Sequence, residues 1–213
     1  MPAPAHPKIY HIAHIDRLGS ILASGGLLSD ARLAGRAAGT TIGMGDLKAR
    51  RLQRPVPVCP GTCVGDFVPF YFCSRSVMLY VIHQANHPNL AYRGGAGPII
   101  HLEADLRVAV DWAVANGQAW ALALGNASAN YTEFRDNLAG LDEINWAAVS
   151  ARDFREPAIK DAKQAEFLLH GFFPWELVER IGVRDRAMFQ AVADALQHAH
   201  HHPRIEIKRD WYF

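Results

Sequence analysis

DFVPFYFCSRSVMLYVIHQ, residues 66–84, changes its periodicity halfway. Residues 66–73 are β-branched and aromatic, which suits a buried strand, while Pro69 lacks an N–H and so points to a sheet edge or a bulge. From Ser74 or Ser76 the pattern becomes that of a capped helix. The same alternation of strand and short helix runs outward in both directions. Ile9 to Ile12 is β-prone, and Leu18, Ile21 and Leu22 follow at helical spacing, with Asp16 as a candidate cap and Gly25-Gly26 as a stop. Residues 29–65 are rich in Gly, Ala, Arg and Pro and read as a long functional loop with one short helix. Beyond the central stretch, PIIHL (98–102) is a strand and a helix runs through Val108 and Trp112. Gln118 to Leu124 is a strand, residues 133–148 are mostly helical, and the charged stretch 151–162 is a loop. KQAEFLLHGFF (163–173) is strand-like, and a turn of helix follows Pro174. A strand then passes through Ile181 and Val183, residues 186–199 are helical, and RIEIKRDWYF closes as a strand. Strands mixed irregularly with short helices predict an α+β fold, and the absence of a repeat or linker predicts one domain over 1–213.

Composition narrows the class. Half of the 213 residues are apolar and a fifth are charged, as in soluble globular proteins. No apolar run approaches the ~18 residues of a membrane span, and the opening MPAPAHPKIYH has no signal-peptide pattern, so a cytoplasmic location is expected. Cys59, Cys63 and Cys73 make an odd set for which reduced thiols are expected. CPGTC has no second Cys/His pair at finger-like distance, so no metal is expected. The net charge is only +1, yet residues 32–54 carry Arg32, Arg36, Lys48, Arg50, Arg51 and Arg54 against Asp46 alone. Such a segment is either a solvated basic face or an anion site for phosphates.

No GxGxxG, P-loop, HExxH or GxSxG pattern is present, which leaves polar residues in apolar surroundings as the candidates for chemistry. His11 lies among Ile9, Tyr10 and Ile12; a strand histidine of this kind is either hydrogen-bonded core or a ligand contact. Glu166 precedes Phe167, Leu168 and Leu169, and is either a salt-bridging carboxylate or a working one. Arg51 is surface charge or part of an anion site. The run HAHHH (198–202) reads as the solvated end of the last helix.

Five separated segments, IYHIAHID, ARRLQRPVPV, DFVPFYFCSRSVMLY, KQAEFLLHGFFPWELVE and KRDWYF, together resemble the DarT family of DNA ADP-ribosyltransferase toxins over almost the whole chain. The resemblance implies a small α+β ADP-ribosyltransferase fold whose split central sheet holds NAD in a cleft, with NAD as co-substrate. It implies that His11, Ile12 and Ala13 meet NAD through main-chain groups, and that Ser20 and Leu28 are further contacts. By the same likeness Arg51 and Glu166 are the catalytic arginine and glutamate, Arg51 also meeting NAD, while Tyr71 and Met78 border it. Ala13 replaces a hydroxyl residue of the family, and the stretch from Gly117 to Ala162, which supplies the loop that meets the DNA base, departs in length and composition. The implied partners are single-stranded DNA and a macrodomain antitoxin that removes ADP-ribose; the chain itself is expected to be a monomer.

Thymidine is the acceptor base implied by the resemblance, with guanosine, RNA or protein as alternative acceptors and a non-enzymatic NAD- or nucleic-acid-binding module as a different class. An unpaired strand is the cheaper substrate, since a stacked and paired base has to be extracted before it reacts. Arg54, Arg75, Arg152 and Arg155 are candidates for tracking its phosphates. Cleavage of the ribose–nicotinamide bond develops oxocarbenium-like charge, which a carboxylate at Glu166 would stabilise.

Overall fold

The computed structural model describes residues 1–36 and 39–213. Part of the loop expected over 29–65, Ala37 and Ala38, lies outside the described residues. Strand β1 (Lys8–His14) leads into α1 (Leu18–Ala23), β2 (Gly26–Leu28), α2 (Asp30–Leu33) and α3 (Gly45–Arg51). Then come β3 (Phe67–Tyr71), α4 (Val77–Gln84), β4 (Ile99–Asp105), α5 (Leu106–Ala115), β5 (Trp120–Ala123), β6 (Phe134–Arg135), α6 (Trp146–Ser150) and α7 (Pro157–Ala162). The chain finishes with β7 (Glu166–His170), β8 (Phe172–Pro174), β9 (Arg180–Val183), α8 (Arg186–Ala195) and β10 (Arg204–Ile207). Eight strands form one sheet in the order β10-β9-β4-β1-β3-β7-β5-β6, and β2 pairs with β8 in a second, two-stranded sheet. The architecture is α+β, as the mixed pattern predicts.

The sheet is split between β1 and β3. β1 pairs with β4 along its whole length, from Lys8↔Asp105 to His14↔Ile99. It meets β3 only at Tyr10↔Tyr71, whereas β3 runs fully against β7 from Phe67↔His170 to Tyr71↔Glu166. Pro69 explains part of this. Its carbonyl accepts a hydrogen bond from the His11 ring Nδ1 at 2.8 Å, so it faces β1, and the missing N–H of an extended residue lies on that same side. The expected edge is therefore local: β3 is an interior strand, and the proline sits where the sheet opens.

Apolar packing covers both faces. Phe70, Phe167 and Phe173 stack within the larger core, with Phe70 and Phe173 centroids 4.4 Å apart. Leu79, Ile82 and Ile99 with Trp211 and Tyr212 form a second cluster. Ser76 caps α4 by accepting from the Leu79 N–H at 3.1 Å, as anticipated. Gly26, at φ +156°, lets β2 approach β8 so closely that a Cβ would lie 2.2 Å from the Phe173 carbonyl oxygen.

Several local expectations are corrected. Asp16 does not cap α1; its carboxylate accepts from the Thr40 N–H and hydroxyl. The described residues of 29–65 hold two short α-helices rather than one. Residues 133–148 are not mostly helical: β6 and a 3-10 turn (Leu138–Glu143) precede α6, because Phe134 and Arg135 extend the sheet beside β5. The stretch 151–162 contains α7, with Pro157 in the first turn, where its absent N–H is no loss. The terminal strand stops at Ile207; a 3-10 turn then buries Trp211 and Tyr212, whose hydroxyl donates to the Ile99 carbonyl at 2.7 Å. The histidine run is not simply solvated, since His201 bonds the Val178 carbonyl through Nε2 and accepts from Trp175 Nε1 at its own carbonyl.

Candidate active site

A cavity of about 230 Å³ opens over the split in the sheet. Its wall includes His11, Ile12 and Ala13 from β1, Ser20 from α1, Leu28 from β2, Arg51 from α3, Tyr71 from β3, Met78 from α4 and Glu166 from β7. Residues scattered over some 150 positions of sequence thus share one surface. Beyond Tyr10, β1 has no ladder on its β3 side, so alternate main-chain groups of His11 to His14 face the opening. Backbone groups left unpaired by a sheet are suited to holding an amide.

Glu166 is the first residue of β7, between Tyr71 and Ala123 on the neighbouring strands. Arg51 ends α3 and reaches it from the other wall of the cavity. Nη1 of Arg51 donates to Glu166 Oε1 at 3.1 Å, and the Ala127 N–H donates to the same oxygen at 3.2 Å. Nη2 and Oε2 lie 3.0 Å apart as an ion pair, but neither has a well-directed hydrogen bond, although both atoms are buried. The two side chains are only 14% and 4% exposed, so each depends on the other for compensation of its charge. A ligand with hydroxyl and anionic groups would satisfy the two orphaned atoms.

Titration at the site follows burial. Burial works against the Arg51 charge, but the Glu166 carboxylate, aided by Tyr71 and Asp30, outweighs it and holds the guanidinium above its ordinary value. Arg51 is therefore a cation and a donor, not a base. Burial and the Glu166 charge push the Tyr71 hydroxyl upward, keeping it a neutral donor. Burial pulls His11 down to about 4, against the pull of its hydrogen bond to Pro69. With Nδ1 donating to that carbonyl, neutral His11 presents Nε2 as an acceptor. Ser20 Oγ donates to the Arg17 carbonyl at 2.8 Å.

Four charged residues on the cavity wall were not singled out individually from the sequence: Arg17, Asp30, Arg36 and Lys48. Lys48 Nζ and Asp30 Oδ1 pair at 2.6 Å and tie α3 to α2. Lys48 and Arg36 belong to the basic segment 32–54, which supports the anion-site reading of that segment; Arg17 carried no such signal. The four arginines expected along a DNA path do not line the cavity. Arg54 is engaged internally, its Nη2 donating to the Asn130 carbonyl at 2.9 Å. Arg75 lies 4.3 Å above the Phe213 ring. Arg152 is exposed, and Arg155, 91% exposed, pairs with Asp153. Among the described residues no cluster of three or more metal-ligating side chains occurs, and no helix is long and apolar enough to cross a membrane.

The chain is similar to known proteins over its full length. A DNA ADP-ribosyl transferase of Thermus aquaticus is 35% identical over 212 residues, covering 99% of this chain and 90% of that protein. Another, of Thermus sp. strain 2.9, is 34% identical over 213 residues, covering 99% and 98%. The solved structure of Thermus sp. 2.9 DarT in complex with ADP-ribosylated ssDNA superposes with a TM-score of 0.91 at 32% identity, covering 100% of this chain and 99% of that one. The same protein in complex with NAD+ gives 0.85, covering 99% and 100%. The model of the family described as ssDNA thymidine ADP-ribosyltransferase, DarT, matches residues 10–213. A chain matched over nearly all its length by that model, and about a third identical to such relatives, belongs to the DarT family of single-stranded-DNA thymidine ADP-ribosyltransferases.

Proposed function

We propose that this chain binds NAD in the cavity over the split sheet and transfers its ADP-ribose to thymidine in single-stranded DNA, releasing nicotinamide. The observation that carries the reading is the Arg51–Glu166 pair, with one buried atom of each side chain left without a hydrogen bond at the cavity wall. Glu166 Oε2 accepts from a ribose hydroxyl and stabilises the positive charge that develops on the ribose as the bond to nicotinamide breaks. The electron pair of that bond leaves with nicotinamide. The open side of β1 from His11 to Ala13 holds the nicotinamide amide, and Ser20, Leu28, Tyr71 and Met78 enclose the rest of the nucleotide.

On the acceptor side, thymidine N3 is the ring nitrogen that still carries hydrogen, and it loses that proton to solvent water as the new bond to the ribose carbon forms. Arg51 lowers the energy of the resulting negative charge as a fixed cation, since a guanidinium held above its ordinary value does not itself take up the proton. A macrodomain antitoxin that removes the ADP-ribose is the partner that fits such a toxin. The deciding experiment incubates the protein with NAD and oligonucleotides differing in one base, and weighs the products. An ADP-ribose adduct on the thymidine strand alone, absent with Glu166→Ala, is expected. An adduct on guanosine, RNA or protein instead would move the acceptor while leaving the NAD chemistry in place.

A further inference from the structure

We propose that Asn126 is a positioning residue for the Glu166 carboxylate, folding the loop over 124–133 so that the Ala127 N–H is delivered to Oε1; this rests on the role given to Glu166 above. The loop joins β5 to β6 and is closed at its base by the Leu124 N–H donating to the Glu133 carbonyl at 3.0 Å. Within it, Asn126 Oδ1 accepts from the Ser128 N–H at 2.9 Å and from the Ser128 hydroxyl at 2.7 Å. A side chain that accepts from the main chain two residues on imposes a tight turn on the residue between. That residue is Ala127, fully buried, and its N–H is the one that reaches Glu166 at 3.2 Å.

The other polar atoms of Asn126 extend the hold. Its carbonyl accepts from the Thr132 hydroxyl at 2.6 Å and from the Ala129 N–H at 2.9 Å. Its Nδ2 donates to Gln164 Oε1 at 3.1 Å, two residues before Glu166. One side chain therefore links the turn that carries the donor to the segment that carries the acceptor. The consequence for the carboxylate is directional. Oε1 receives donors from two different elements, Arg51 on α3 and Ala127 on the loop, and this leaves Oε2 as the oxygen without a hydrogen bond. Of the two donors to Oε1, Ala127 is the one carried by the backbone, so its place is set by the turn that Asn126 folds.

Because misplacement of a catalytic group by ~1 Å can cost ~100-fold in rate, Asn126→Ala is expected to lower kcat ~10- to 100-fold while KM for NAD stays within about threefold. Asn126→Asp keeps the acceptor for Ser128, and Gln164 can turn its amide to donate, so this variant should recover to within about fivefold of the parent. Folding is checked by melting temperature, and the contact itself by the amide resonance of Ala127, which should move in Asn126→Ala and in Glu166→Gln. Parental kcat in Asn126→Ala, an Asp variant as impaired as the Ala one, or an Ala127 resonance unmoved in Asn126→Ala would each overturn the proposal. If the parent transfers ADP-ribose to no acceptor, the functional reading fails, and the Ala127 resonance still decides whether Asn126 aims that N–H.

Discussion

Breaking the Arg51–Glu166 pair from one side should cost at least as much stability as removing both halves. Arg51→Met leaves a carboxylate that is 4% exposed with only the Ala127 N–H for compensation, and Glu166→Gln leaves a buried guanidinium facing a neutral amide. Loss of one partner of a buried ion pair costs roughly 3–5 kcal/mol, and the surviving Ala127 bond places this one near ~3 kcal/mol. For a chain of this size each kcal/mol shifts Tm by ~2–4 °C, so either single variant should melt ~6–12 °C below the parent. The double variant Arg51→Met/Glu166→Gln carries no uncompensated charge and should melt no lower than the worse single variant, a coupling of at least ~3 kcal/mol. Differential scanning calorimetry at pH 7 on the four proteins reads the cycle, and adduct formation on an oligonucleotide should be lost in all three variants. Additive losses of Tm in the double variant would refute the argument, because they would mean that the charges are solvated separately rather than compensated by each other.

Acid should act largely through buried imidazoles. His101 is fully buried beside the Ser74 carbonyl at 3.0 Å, and burial pulls it from 6.5 to about 4. Between those values the unfolded chain binds a proton that the native chain refuses, so stability falls as pH drops through the window, by up to ~3 kcal/mol at ~1.4 kcal/mol per unit. His101→Phe should remove about half of the slope of Tm against pH, His11 accounting for a similar share; an unchanged slope would contradict this. Arg152→Ala should flatten the salt dependence of oligonucleotide binding by ~0.7 in log–log slope, as loss of one phosphate contact to a single strand does. Arg54→Ala should leave that slope alone while loosening the loop it bonds at Asn130, and a salt titration of both variants separates the two roles. Gly26→Ala places a Cβ 2.2 Å from the Phe173 carbonyl oxygen, so β2 must part from β8. NAD affinity should fall with Tm, since β2 carries Leu28; calorimetric binding with parental affinity would show that the wall does not depend on that pairing.

What could be read from the sequence was whatever depends on local pattern. A serine cap at 74 or 76, the strands at 9–12 and 98–102, and the helix through Val108 and Trp112 follow from periodicity and turn chemistry alone, whereas the single strand expected over 163–173 is broken at Gly171 into β7 and β8, which belong to different sheets. Glu166 stood out because a carboxylate within an apolar strand requires a reason, and Arg51 because it lay in a basic segment. The family resemblance gathered the remaining cavity residues. What was not legible depends on contacts across long separations. Arg54 looks like any exposed cation until it is seen donating to carbonyls more than 70 positions away. Asp16 has the composition of a cap but finds Thr40 instead. The Ala127 N–H carried no signal, because every residue except proline offers the same donor and only the fold selects which one meets Glu166. Pro157 was legible and was misread: a proline in a charged stretch opens α7 as readily as it ends one.

The split in the sheet ties these elements into one cause. A full ladder between β1 and β3 would satisfy the main-chain groups from His11 to His14 and close the floor of the cavity. Pro69 withholds one donor at the point where such a ladder would form, and the His11 ring occupies its carbonyl, so the cross-strand bond is made by a side chain rather than by the backbone. Burial holds that imidazole neutral down to about pH 4, which keeps Nδ1 a donor and Nε2 an acceptor throughout the physiological range. Where the two strands do meet, at Tyr10↔Tyr71, the next pairing across β3 is Tyr71↔Glu166, so the end of the split coincides with the entry of the carboxylate into the sheet. The opening that exposes backbone for an amide and the strand that presents the carboxylate are thus adjacent by register. A one-residue slip of β3 against β7 would turn Glu166 to the opposite side, away from Arg51, which is why the apolar pairs from Val68 to Phe70 that set this register matter to the chemistry as much as the charged pair does.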